Sequence, residues 1–341
     1  MTAAATTPRD VRARLATARS LLEPPLRHAV RRLATPVRTV AEYHFGWCDA
    51  AGDPTDAGWG KGLRGGLTLA AADAVGGSAA SAVPAAVAVE LVHNFTLLHD
   101  DVMDHDQVRR GRPTAGAAFG DAQAILAGDA LLALALDTVR GRPAATAEVC
   151  RALLDLVSGQ SADVAFESRT TVGLDACLTM AAGKTAALIA AACALGALSA
   201  DADADADRVD GLRGYGHHLG MAFQLTDDLL GIWGDPAVTG KPVGADLRRR
   251  KKSLPVVYAL TSGTAAGAEL ASLYAIPGAS TDTQVRRATQ LVEQAGGRDW
   301  ARQEADRHRL DALACLAAAR PGRDGAAVLA GFADLATTRD H

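Results

Sequence analysis

Residues Leu97–Thr114 read LLHDDVMDHDQVRRGRPT, in which four aspartates and three arginines crowd behind an apolar run. Like charges a few ångströms apart repel unless a group of opposite sign lies between them. In a helix, residues four apart share a face, so Asp100 and Asp104 point the same way, with Asp101 about 100° round. A second acidic pair, Asp227 and Asp228, closes another apolar run in FQLTDDLLGIWGD. Carboxylates at the ends of buried helices need solvent, a cavity or a cation. Oxygen donors with room for water suit Mg2+, which completes its octahedron with water and phosphate.

The basic residues fit the same chemistry. Of 35 lysines and arginines only five are lysine: Lys61, Lys184, Lys241, Lys251 and Lys252. Each stands beside glycine, in a break between helices, or next to Thr185. Lysine is a compact point charge on a flexible stem, suited to a phosphate that must be reached and released. Arg109, Arg110 and Arg112 are more cations than one metal-neutralised diphosphate needs, whereas two diphosphates would use them all. The apolar helices beside this polar mouth would house the non-polar parts of the ligands.

The elements that position these groups are helical. Hydrophobic residues make up 49% of the 341 and aromatics only 4%, with alanine dominant. Alanine and leucine favour helix, and no period-two run of β-branched or aromatic residues marks a strand. The pattern predicts an all-α protein, a single-domain bundle of ten or so helices over residues 9–341, after a disordered 1–8. The first helix is expected to break at Glu23–Pro25. Asp49–Gly62 reads as a loop. A long helix from Pro84 to Met103 carries the first acidic cluster at its end. Further helices are predicted over 119–138, 143–168, 172–199, 206–233, 254–263, 282–296, 298–319 and 324–337.

Composition also excludes. A net charge of −4 argues against a nucleic-acid binder. The five cysteines show neither metal-ligand nor disulfide spacing, and read as core residues in a reducing, cytoplasmic compartment. No apolar stretch is expected to reach the roughly 18 to 20 residues of a transmembrane segment. The longest, around Thr185–Ala200, reads as a buried helix. The first residues lack a secretory apolar region, and the arginine-rich stretch Arg9–Arg38 reads as a solvated first helix. His217, His218, Trp47, Trp59 and Trp233 read as packing residues.

Over roughly residues 40 to 260 the motifs resemble those of the trans-isoprenyl diphosphate synthases, the polyprenyl synthetase family. HNFTLLHDDVMDHDQVRRGRPT is similar to the first aspartate-rich motif with its trailing arginines, and FQLTDD to the second. GKGLRGG resembles the glycine-rich segment that binds isopentenyl diphosphate. GQSADVAFE carries the family's Gln160 and Asp163, GKTA its Lys-Thr pair, and GKPVGADLRRRKKSLP its lysine-bearing loop. The resemblance implies an isoprenoid synthase-like bundle around a central cavity, acting as a homodimer.

By the same resemblance, Asp100 and Asp104, with Asp101 in support, and Asp227, assisted by Asp228, hold Mg2+ ions, about three in all. Arg109, Lys184 and Lys241 touch the allylic diphosphate. Lys61, Arg64, His93 and Arg110 hold isopentenyl diphosphate, and Thr185 and Gln224 line the reacting carbons. The implied reaction is head-to-tail trans condensation. Phe95 with Thr96, one turn before Asp100, resembles the chain-length floor of short-chain enzymes, which favours geranylgeranyl over farnesyl diphosphate. Two departures stand out. Gly231 replaces the last aspartate of the second motif, with Asp235 as a partial substitute, and the glycine-rich segment lacks one arginine and its proline. A terpene cyclase would not need Lys61, Arg64, His93 and Arg110, and a non-catalytic partner subunit would not keep the first motif whole.

Overall fold

A computed structural model describes residues 8–200, 205–235, 243–276 and 280–337. They form helices joined by turns, with one two-residue antiparallel hairpin pairing Val108–Arg109 with Arg112–Pro113. The fold is all-α, as the composition implies.

Helix α1 (Pro8–Val30) runs straight through Pro24 and Pro25, where the sequence predicts a break. An internal proline costs a helix hydrogen bond, about 3 kcal/mol. Leu22, Leu26 and Val30, all fully buried, anchor the helix on both sides of the pair, and Glu23 meets Arg27 one turn on at 2.8 Å. Packing outweighs the local penalty. After α2 (Val37–His44), α3 (Leu63–Ala74) begins at Gly62, whose positive φ of 63° makes the turn. The sequence pattern misses α3 because Gly65 and Gly66 interrupt its apolar stripe. Those glycines let α1 close in: a Cβ on Gly65 would stand 2.5 Å from Leu22 Cδ1.

Helix α4 (Ala79–Met103) starts earlier than expected, because Ser78 caps it by accepting from Ser81 N. It packs along α6 (Asp121–Val139), with the short α5 (Ala115–Phe119) between them in sequence. Then follow α7 (Pro143–Ser168), α8 (Leu174–Ala181), a π-helical turn (Ala182–Ala186), α9 (Ala187–Ala200) and α10 (Ala206–Trp233). The one helix predicted over 172–199 is thus three segments. The chain continues through α11 (Ala245–Arg248), α12 (Leu254–Thr261), α13 (Ala265–Tyr274), α14 (Asp282–Gln294), α15 (Gly297–Ala318) and α16 (Arg323–Thr337).

The helices group into two units. One comprises Met1–Arg151, Ala191–Arg213 and Ala319–Leu329, and the other Ala152–Ala190, Gly214–Ala318 and Ala330–His341. The first is built on fully buried leucines, among them Leu67, Leu91, Leu98 and Leu131. In the second, Met180, Met221, Leu225, Leu254 and Val257 form one cluster, and Ile232, Leu247, Val256 and Leu291 another. Cys48, Cys177 and Cys193 are buried as expected, but Cys150 is exposed.

One expectation is corrected. Ala79–Met103, Asp121–Val139 and Leu174–Ala200 are each long and apolar enough to cross a membrane by length and composition. The first and third have 67% and 78% of their apolar windows buried inside the protein, which accounts for their character; α6 has only 39%.

Candidate active site

In the first unit, α4 ends in the aspartate motif. Asp101 is 3% exposed, and Arg109 clamps one of its oxygens, Oδ1, through Nε at 2.7 Å and Nη2 at 2.6 Å. Burial pushes this carboxyl above its ordinary range, against the pull of Arg109. Its other oxygen, Oδ2, is buried without a hydrogen-bond partner. Asp100 is half-buried and Asp104 is exposed.

The hairpin after this motif sorts its arginines. Arg112 donates to the Tyr43 carbonyl at 3.2 Å and the Cys48 carbonyl at 3.0 Å, and lies over the Tyr43 ring. It is therefore a brace for the segment after α2, not a diphosphate ligand as the sequence count implied. Arg110 adopts a positive φ of 51°, a conformation that side chains resist. Its guanidinium rests on Gly60, where a Cβ would lie 3.0 Å from Nη2. The glycine-rich segment thus receives Arg110 directly.

Arg64, from the first turn of α3, stands 3.2 Å from His93 Nε2 on α4. Arginine only donates, so that nitrogen accepts and the ring is neutral. Burial, then Arg64 and Arg110, hold the His93 imidazole well below its usual range. Two residues that sequence reasoning passed over complete the cluster. Glu90, 2% exposed, accepts from Gly65 N at 2.7 Å and so ties α4 to the start of α3. Its carboxyl is pushed up by burial and pulled down by Gly65 N–H, Arg64 and Arg110. A lone acid in the apolar run AVAVELV is the signal that could have found it. His44 presents a buried Nε2 with no partner, and is pushed down to about 3 by burial, then by Arg110 and Arg109. Neutral imidazoles among guanidiniums describe a site that an anion would complete. Lys61 is exposed on the loop just before α3. On the neighbouring face of α4, Phe95 is 7% exposed with its ring against His99, and Thr96 donates to the His93 carbonyl.

In the second unit, Lys184 and Thr185 sit on the π-helical turn, a distortion often found at functional sites. Close approach makes it: a Cβ on Gly159 of α7 would stand 2.2 Å from Lys184 N. Lys184 pairs with Asp163 of α7. Thr185 Oγ1 donates to Gln224 Oε1 at 2.6 Å, and Gln224 Nε2 donates to Asp228 Oδ1 at 2.8 Å. Asp228 Oδ2 accepts from Leu254 N at 2.9 Å. Asp228 is thus 2% exposed with both oxygens engaged, and burial pushes its carboxyl up to about 6. Asp227, one residue earlier, is exposed.

The two lysines of RRRKK part company. Burial alone would lower the Lys251 ammonium, but Asp228, Asp246, Asp163 and Asp227 raise it. Lys252 instead donates to the Phe166 carbonyl at 2.6 Å and caps α7. Gly231, the departure in the second motif, also has an explanation. A Cβ there would lie 2.3 Å from Asp246 Oδ2. The Asp246 carboxylate occupies the space beside that position. Lys241 lies outside the described residues.

A family model for polyprenyl synthetase matches residues 47–292. The chain belongs to the polyprenyl synthetase family. It is 49% identical over 302 residues to a (2E,6E)-farnesyl diphosphate synthase of Mycobacterium tuberculosis, covering 86% of this chain and 84% of that one. It is 49% identical over 311 residues to a geranylgeranyl diphosphate synthase of the same organism, covering 89% and 88%. A solved polyprenyl synthetase from Streptomyces coelicolor superposes with a TM-score of 0.92 at 45% identity, covering 96% of this chain and all of that one. This member of the family is a prenyltransferase, in the class of the trans-isoprenyl diphosphate synthases.

The residues present fit the divalent ions that such a synthetase implies. The buried Asp101 Oδ2 has no hydrogen-bond partner, and the exposed Asp104 and Asp227 are hard oxygen donors open to water. That donor set suits Mg2+ and not a softer metal.

Proposed function

We propose that this prenyltransferase condenses isopentenyl diphosphate with an allylic diphosphate, head to tail and trans, and stops at geranylgeranyl diphosphate. The observation that carries the reading is the arginine-histidine cluster of Arg64, His93 and Arg110 against the glycine-rich segment. It offers a place for a second diphosphate, which a cyclase would not need.

In this reading Asp100 and Asp104, with Asp101, and Asp227 hold Mg2+, about three ions in all. When bound, the ions neutralise the allylic diphosphate and stabilise its charge as it leaves. Arg109, Lys184 and Lys241 contact the same diphosphate. Lys61, Arg64, His93 and Arg110 hold isopentenyl diphosphate so that its double bond lies over the allylic carbon, and positioning of this kind removes much of the barrier. The carbon–oxygen bond of the allylic diphosphate breaks, the isopentenyl double bond supplies the new carbon–carbon bond, and the departing diphosphate takes the proton then lost. Thr185 and Gln224 turn oxygen lone pairs toward the developing cation. Asp228, its oxygens already engaged, orients Gln224 in place of ligating metal.

Phe95 supports the short product: a buried aromatic one turn before Asp100, braced by His99. Purified protein given Mg2+, isopentenyl diphosphate and each allylic diphosphate in turn should yield geranylgeranyl diphosphate by mass. Phe95→Ala should lengthen it. A farnesyl product from the unaltered chain would overturn the length, and a cyclic hydrocarbon made without isopentenyl diphosphate would overturn the class. We further propose a homodimer through the outward face of α6, where Ile125 and Leu126 are 41% and 51% exposed.

A further inference from the structure

Helices α10 and α15 carry a second constellation that the reaction does not use. His218 of α10 and His308 and Asp311 of α15 each offer one ligand atom, and these atoms lie within 4.8 Å of one another. His218 Nδ1 stands 2.9 Å from His308 Nδ1 and 4.0 Å from Asp311 Oδ2. His308 is 6% exposed, while His218 and Asp311 are half-buried or more open. We propose that this cluster is a site for a borderline divalent transition-metal ion, of the Zn2+, Co2+ or Ni2+ class, that clasps α15 to α10.

The donor set points away from Mg2+. Imidazole nitrogen suits Zn2+, Co2+, Ni2+ and Cu2+, whereas Mg2+ prefers oxygen alone. His308 and Asp311 are three residues apart on one helix and so share a face, and His218 meets them from the other helix. Burial, then Arg307 and His218, push His308 down to about 4, and burial lowers His218 against the pull of Asp311. Neutral imidazole is the form that ligates.

The protons can be placed. Arg307 Nη2 lies 3.3 Å from His308 Nε2 and can only donate, so Nε2 accepts and His308 carries its proton on Nδ1, toward His218. An ion between the two Nδ1 atoms takes the place of that proton, which moves to His308 Nε2; Arg307 Nη2 must then swing away and leave that N–H to Glu304 Oε1, now 4.0 Å off. A carboxylate behind the second nitrogen is the usual support of a metal-bound histidine. Arg307 also donates to Asp311 Oδ2 at 2.7 Å and pairs with Glu304. The carboxylates therefore outnumber the guanidinium, and the cluster keeps a negative excess for a cation.

Two ligands of a tetrahedral ion lie roughly 3.3 Å apart. The imidazoles must part by about 0.4 Å, and Asp311, 4.0 Å from His218 Nδ1, must come in by about 0.7 Å or more and exchange its contact with Arg307 for the ion. Asp311, with its side chain 41% exposed, can move and leaves water the remaining position. A proton shared between two histidines would account for their 2.9 Å contact, with Asp311 held by Arg307; Co2+ binding separates that arrangement from a metal site.

The test is a Co2+ titration of the full chain in excess Mg2+, which keeps oxygen-only sites filled. Intense visible bands of four-coordinate Co2+, displaced by Zn2+, are expected. His218→Gln and Asp311→Asn should each weaken Co2+ binding at least about tenfold. Zn2+ should raise the unfolding temperature of the unaltered chain but not of either variant. Should His218→Gln fail to fold, Asp311→Asn on the open side carries the same comparison. Absence of the bands, or variants that bind Co2+ as tightly as the unaltered chain, would overturn the site and leave a hydrogen-bonded histidine pair.

Discussion

Gly231 departs from the second aspartate motif, yet the position is not vacant. The Asp246 carboxylate stands where a side chain at 231 would begin. Restoring the motif with Gly231→Asp should therefore harm the protein: Asp246 would be displaced and a new carboxylate set beside Asp227 and Asp228. We expect at least about a tenfold fall in turnover and a higher Mg2+ requirement, read from rates across a Mg2+ titration. Activity equal to or above the unaltered chain would show that Asp246 does nothing there. His44 makes a pH prediction. Its folded value of about 3 lies below the ordinary 6.5, so the unfolded chain binds the proton first as pH falls. The stability tied to neutral His44 is complete above about 6.5 and is lost progressively as pH drops toward 3, on the order of a few kcal/mol in total. His44→Gln should flatten part of the fall in unfolding temperature between about pH 6.5 and 4. An unchanged slope would mean that His44 is not held neutral. Neither Asp246 nor His44 was singled out by motif, because a lone histidine and the partner of a glycine leave no periodic trace.

At the scale of elements, the π-helical turn depends on Gly159 and Gly183. A Cβ on Gly183 would stand 2.6 Å from the Asp155 carbonyl, and one on Gly159 would strike Lys184 N. Gly159→Ala should cost about 1–3 kcal/mol by overpacking, and should lower activity further by shifting Lys184 and Thr185. Thermal unfolding and steady-state rates on one preparation separate the two effects. Most helices were legible from apolar periodicity, and the long ones match closely. The misses have physical causes. Proline pairs predict a break, but buried leucines on both sides of Pro24–Pro25 hold α1 together. Glycines hide α3 and the π turn from a propensity reading, because their purpose is close approach and not helix stability.

For the whole molecule, the exposed apolar face of α6 is the feature with a consequence for assembly. Leu126→Glu should convert the proposed dimer to a monomer in light scattering, whereas Arg140→Glu, at another exposed position, should not. A variant that stays dimeric would place the interface elsewhere. The sequence alone determined that the chain is helical, that it carries paired aspartate motifs with scarce lysines, and that it belongs among prenyl diphosphate synthases. These are local signals: an i, i+4 spacing, a composition, a run of apolar turns. Only the tertiary structure decided which charges are free to act. Arg112 is diverted to carbonyls, Lys252 caps α7 while Lys251 lies in the field of four carboxylates, and Asp228 is engaged at both oxygens. A side chain's partner is fixed by what packs beside it from distant parts of the chain, and neither residue type nor spacing encodes that.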